Sequence, residues 1–230
     1  MLKGYIISLI NNHDATIATR LLIDSIKQTQ SQIDPVILPA TTPDTIEEHF
    51  DELVSSYKEQ INGLHEGGCD ILFIETVFDT LNAKAALMAV DNYFEEKNVS
   101  IPVMLSGTIT DKSGRTLSGQ TVNAFLISIS HFPLLSVGFN CALGTKDLKP
   151  YMKRLSDSTD FYTSSHPNAG LPNAFGEYDQ SPENMIEQMK EYLDENLVNI
   201  IGGCCGTTYE HIELLSEVVK KYKPRKLPNV

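Results

Sequence analysis

The chain has 230 residues, an apolar fraction of 41% and a formal charge of −12. That size and composition suit a large globular α/β domain and exclude a disordered or fibrous chain. The acid excess, without a basic stripe, argues against a nucleic-acid partner, and no run approaches the ~18 apolar residues of a membrane span.

Residues 1–45 read as a strand near 3–9, a helix near 16–28 and a strand near 36–38. The first apolar run meets Asn11-Asn12-His13-Asp14 without a small-residue cleavage signature, so it reads as a strand rather than a signal peptide. Thr42-Pro43 then forms a cap with proline at the first helical position. Ile46, Phe50, Leu53, Val54, Tyr57, Ile61 and Leu64 recur at helical spacing until Gly67-Gly68 stops them. A short apolar strand, Ile71-Leu72-Phe73-Ile74, ends in Glu75-Thr76, and Asp79 caps the next helix.

Four more strand-helix units follow. Their strands are predicted at 101–105, 134–137, 161–164 and 197–201, and their helices start near Gln120, before Leu148, at Ser181-Pro182 and before Ile212. Lys220, Lys221, Lys223, Arg225 and Lys226 read as a short solvated tail. Continuous apolar strands alternating with amphipathic helices predict a parallel sheet under helices. Polar or reactive residues just past each strand favour a (β/α)8-type TIM barrel, whose sites gather at that end. An open doubly wound sheet is the competing architecture.

The four cysteines make no disulfide framework, and a reducing cytoplasm is the expected compartment. Cys204 and Cys205 are adjacent, a pairing too strained to close easily as a disulfide. With Cys141 they offer three thiolates for one soft metal ion and leave one open position. Three small buried residues is the alternative, since free cysteine packs well in cores. Cys69, opening a strand, reads as such a core residue. Asn140 either orients a thiolate or ends its strand, and His166 reads as a hydrogen-bonded structural residue outside the metal shell.

The phrases that carry a resemblance are long and in order. They are Asp70-Ile71-Leu72-Phe73-Ile74-Glu75-Thr76-Val77-Phe78-Asp79-Thr80-Leu81-Asn82-Ala83-Lys84, Ser106-Gly107-Thr108-Ile109-Thr110, Ser118-Gly119-Gln120-Thr121, and Gly138-Phe139-Asn140-Cys141-Ala142-Leu143-Gly144. His166-Pro167-Asn168-Ala169-Gly170-Leu171-Pro172-Asn173 and Gly202-Gly203-Cys204-Cys205-Gly206-Thr207 complete the set. Over roughly residues 50–215 the chain resembles the homocysteine S-methyltransferase family, and within it the homocysteine-binding barrel of cobalamin-dependent methionine synthases.

The resemblance implies zinc held by Cys141, Cys204 and Cys205, with the homocysteine thiol as the activated group and no further catalytic residue. It implies substrate contacts from Glu75, Asp79 and Asn140, and methylcobalamin as donor, with betaine or S-methylmethionine as the other donor type. The acidic phrase that opens the family's barrel is not recognisable. Residues 1–45 are therefore set apart as an unrelated β-α-β segment before a barrel portion at 46–230, and the barrel is expected to be incomplete. Folate- and cobalamin-binding modules would act in trans or be missing. A truncated or fused, non-catalytic chain that binds zinc alone is the reading from another functional class.

Overall fold

The computed structural model describes the backbone of Tyr5–Ser8 and residues 49–227. The predicted helix near 16–28, the strand near 36–38 and the Thr42-Pro43 cap lie outside the described residues. The elements are β1 (Tyr5–Ser8), α1 (Phe50–Glu66), β2 (Leu72–Val77), α2 (Thr80–Lys97), β3 (Val103–Gly107), α3 (Val122–Ile129) and β4 (Ser136–Gly144). They continue with α4 (Thr145–Ser158), β5 (Tyr162–Asn168), α5 (Pro182–Asp194), β6 (Ile200–Gly203) and α6 (Tyr209–Val219).

Local chemistry sets the helix starts. Asp79 Oδ1 accepts from Leu81 N at 2.7 Å and Asn82 N at 3.3 Å. Thr121 Oγ1 accepts from Ala124 N at 3.3 Å, and Ser181 Oγ from Asn184 N at 3.3 Å, with Pro182 opening α5. Each cap satisfies N–H groups that have no partner within the helix.

The sheet order is β1-β6-β5-β4-β3-β2. β2 to β6 run parallel, each beside its neighbour in sequence, and consecutive helices pack side by side. A doubly wound sheet reverses its strand order at a switch point. The order of β2 to β6 here is sequential and has no such reversal, which is compatible with a barrel wall.

β1 departs from that pattern, pairing antiparallel with β6 from Tyr5↔Gly203 to Ser8↔Ile200. Among the described residues the sheet is therefore six strands in open order, edged by β1 and β2.

The register assigns the two faces. Leu72, Leu105, Val137, Phe139 and Ile201 pack under the helices against Leu87, Phe125, Leu148, Met152 and Leu215. The Phe125 and Phe139 rings lie 5.6 Å apart. Phe73, Met104, Asn140 and His166 occupy the other face, where the Phe73 and His166 rings are 5.2 Å apart. Gly138 is bare because a Cβ there would sit 2.0 Å from the Ser164 carbonyl oxygen of the adjoining strand. Cys69 is a core residue, 7% exposed.

The basic tail corrects the sequence expectation. Arg225 is 6% exposed, not solvated. Its guanidinium donates to Ser156 Oγ at 2.8 Å, to the Ser156 and Thr159 carbonyls at 2.7 Å and to the Phe161 carbonyl at 3.1 Å. Asn199 Nδ2 donates to the Arg225 carbonyl at 2.7 Å. The tail thus ties the entries to β5 and β6 together, at the end of the sheet away from the thiols. Arg225→Met is expected to strand three carbonyls and cost about 3 kcal/mol. A urea titration should read that loss while zinc content stays unchanged.

Candidate metal centre

Cys141 lies near the end of β4, and Cys204 and Cys205 directly follow β6. Only β5 separates those strands, so at about 4.8 Å per strand step their ends lie about 10 Å apart. The side chains close that gap. Cys141 Sγ is 3.7 Å from Cys205 Sγ, Cys204 Sγ is 4.0 Å from Cys205 Sγ, and all three sulfurs fall within 4.8 Å of one another. Convergence needs no closed barrel, only one intervening strand.

Backbone conformation aims these residues. Thr76, Cys141 and Ala142 have φ of 57°, 65° and 53°. Left-handed backbone costs a non-glycine residue roughly 1–3 kcal/mol and persists only where neighbours enforce it. The other non-glycine residues of positive φ among those described are Asn98 and Asn196, a type that tolerates it cheaply just after helices. The costly three sit beside ladder irregularities, between Ile74 and Val77 and between Asn140 and Gly144. Those irregularities turn strand ends into side-chain platforms.

The end of β5 splints the cysteine pair. Cys205 N donates to Asn168 Oδ1 at 3.0 Å, Cys204 N to the Pro167 carbonyl at 2.9 Å, and Ala169 N to the Cys205 carbonyl at 2.9 Å. Gly206 turns with φ of 77°, and a Cβ on it would lie 2.2 Å from Tyr178 Cβ. Asn168, Tyr178 and Thr76 carry no role in the sequence expectations. Thr76 and Asn168 stand in phrases that signalled the family, whereas nothing local in sequence marks Tyr178.

Asn140 is the hub. Its Oδ1 accepts from Thr76 N at 2.9 Å and Ser106 Oγ at 2.7 Å. Its Nδ2 donates toward Glu75 Oε2 at 2.9 Å, Thr76 Oγ1 at 2.7 Å and Cys204 Sγ at 3.9 Å. Glu75 is exposed and also accepts from Thr76 Oγ1 at 3.1 Å. Asp79 spends Oδ1 on the α2 cap. His166 lies outside the sulfur cluster; it is 3% exposed, and neither ring nitrogen has a hydrogen-bond partner among the described residues.

The electrostatics describe a cluster that wants a cation. A hydrogen bond from Cys204 holds the Cys141 thiol below the usual range. The same bond pushes Cys204 up, with burial adding to it. Burial and then the Cys141 charge push Cys205 up. Three thiolates at these distances repel one another and need a compensating charge.

A zinc ion fits the donor set. With Zn–S bonds of about 2.3 Å a tetrahedron has edges of about 3.8 Å, against the observed 3.7 and 4.0 Å. Cys204 is buried while Cys141 and Cys205 are partly exposed, so a metal held by the three would be reached from the side of Cys141 and Cys205.

Parallel β/α units that gather three free thiols at the strand ends, beside an exposed carboxylate, define the class: an α/β protein with a cysteine triad able to hold a metal ion. The chain belongs to the homocysteine S-methyltransferase family, whose sequence model matches residues 13–219. That match begins inside the segment set apart at 1–45.

The fold is similar to homocysteine methyltransferase MmuM from Escherichia coli. The apo form matches with a TM-score of 0.57 at 19% identity, over 73% of this chain and 56% of that one. Its metallated form matches with a TM-score of 0.53 at 19% identity, over 72% and 52%. The chain therefore spans about half the length of these structures.

Proposed function

We propose that the chain holds zinc through Cys141, Cys204 and Cys205 and methylates the sulfur of homocysteine to give methionine. The observation that carries this reading is the convergence of three free thiols within 4.8 Å, bridged by Asn140 to the exposed carboxylate of Glu75. Family membership and the likeness to an enzyme with a metallated form support it.

Zinc in this donor set supplies deprotonation of an incoming thiol at neutral pH while leaving its sulfur nucleophilic. The residues of the chain do the remaining work. Glu75 meets the substrate ammonium, Asn140 holds that carboxylate in place before the substrate arrives, and Asp79, whose Oδ1 caps α2, contributes a further contact. In the transfer the new S–C bond forms at the substrate sulfur. The thiol proton leaves to solvent, and the electron pair of the broken methyl bond departs with the donor.

We read the donor as methylcobalamin, carried with a folate-binding module on another domain or chain. The exposed apolar side chains on loops that follow the strand ends support a large partner at this rim: Phe78 at 42%, Leu117 at 71%, Leu171 at 51% and Phe175 at 89% exposure. No described helix is long and apolar enough to cross a membrane.

The test is proton release. Homocysteine added to the zinc-loaded chain at pH 7 is expected to liberate about one proton per bound thiol. Release no greater than that of the metal-free chain overturns the reading. Glu75→Gln is expected to weaken homocysteine binding by about tenfold to a hundredfold, at unchanged zinc content, because a charge-assisted hydrogen bond to the ammonium is lost. Calorimetric titration reads that change.

A further inference from the structure

An amide nitrogen carries two hydrogens, and Asn140 Nδ2 points at three acceptors. Two are close, Glu75 Oε2 at 2.9 Å and Thr76 Oγ1 at 2.7 Å, and the third, Cys204 Sγ, is at 3.9 Å. The amide cannot rotate to relieve the competition. Its oxygen is pinned by Thr76 N and Ser106 Oγ, and the Asn140 carbonyl accepts from Thr108 Oγ1 at 3.1 Å. What can change is the relative strength of the acceptors. Glu75 is exposed, and a cation arriving there neutralises the carboxylate and weakens it as an acceptor. Cys204 is buried, where a hydrogen bond to a charged sulfur is worth most.

Resting on the function proposed above, we propose that Asn140 is a positioning residue that couples the two halves of the site: an ammonium seated on Glu75 shifts the amide's hydrogen bonding from Glu75 Oε2 to Cys204 Sγ and tightens the metal. The amino-acid end of the substrate thereby strengthens the metal centre independently of the substrate's own sulfur. By linkage, metal binding strengthens recognition of the ammonium by the same factor.

The probe is 2-aminobutyrate, which keeps the ammonium and carboxylate of homocysteine and has no sulfur. Zinc affinity of the full chain is measured by chelator competition with and without it, and cobalt(II) is substituted to follow the sulfur-to-metal charge-transfer band. In the unaltered chain 2-aminobutyrate is expected to raise zinc affinity by about tenfold, the low end of what partners of metal ligands contribute, and to shift the cobalt band. In Asn140→Ala both effects should vanish while zinc still binds.

Asn140→Asp is the second variant. It keeps an oxygen for Thr76 N and Ser106 Oγ but has no N–H to donate, so it too should lose both effects. The coupling is overturned if 2-aminobutyrate leaves zinc affinity of the unaltered chain unchanged, or if either variant keeps the tenfold gain. Homocysteine separates this failure from that of the function itself. A zinc-bound thiol with no effect of 2-aminobutyrate removes the coupling alone, and no response to homocysteine removes both.

Discussion

Cys204→Ser is expected to reduce zinc binding from one equivalent per chain to a weak association, with affinity lower by about a thousandfold. Structural zinc sites are worth about 10–16 kcal/mol over four ligands, so one thiolate accounts for about 2.5–4 kcal/mol, whose upper end is the thousandfold loss. Serine does not substitute, because its hydroxyl stays protonated at neutral pH and its shorter bond to the metal leaves the sulfur tetrahedron distorted. Cys204 is the informative position because it is the most buried of the three and also lies within reach of Asn140. Cys69→Ala is the control: Cys69 is packed among apolar residues and should leave the metal content at one equivalent. Metal analysis after gel filtration, with chelator competition for affinity, makes the comparison. In the same preparations Cys141 should resist alkylation until a chelator is added. A Cys204→Ser chain that retains one equivalent at unchanged affinity, or an unaltered chain that carries no zinc and is freely alkylated at Cys141, removes the metal centre.

Acidification should expose the second large effect, at His166. Burial pushes its imidazole down to about 4, from an ordinary value of about 6.5. The unfolded chain therefore takes up a proton as pH falls below 6.5, while the folded chain does so only near 4. The contribution to stability is fully present above 6.5 and is lost progressively between 6.5 and 4, to a total of about 3 kcal/mol. The imidazole has no hydrogen-bond partner among the described residues and lies against the Phe73 ring, so no hydrogen bond there compensates the charge. His166→Gln does not titrate and should flatten this limb. Urea midpoints measured from pH 7 to 4.5 with chelator present, so that metal loss does not contribute, should fall more steeply for the unaltered chain. Parallel curves for the two proteins would contradict a neutral buried His166.

Much of the wall of strands and helices is readable from periodicity. From Asp79 onward each predicted helix has its observed counterpart, and Ser181-Pro182 marks its boundary to the residue, because caps and proline act through neighbours in sequence. Strand ends are less legible. The strand expected at 134–137 runs as Ser136–Gly144, since Gly138-Phe139-Asn140-Cys141 has the small and polar character of a loop yet is held by the ladder to β5. Arg225 looked solvated because charge alone suggests a surface. Its burial follows from carbonyls of Ser156, Thr159 and Phe161 that only the folded chain brings together. The antiparallel pairing of β1 is likewise a property of which edge was open, not of the residues Tyr5–Ser8 by themselves.

The sequence by itself determined the strand-helix alternation, the three thiols, the family and the carboxylate Glu75, because periodicity, ligand chemistry and motif order are properties of a linear chain. The tertiary structure decided how they meet. It put one strand between Cys141 and the Cys204-Cys205 pair, forced Thr76, Cys141 and Ala142 into left-handed backbone, and set Asn140 between carboxylate and sulfur. Those outcomes depend on sheet register and on hydrogen bonds between residues more than sixty positions apart, which no local pattern encodes.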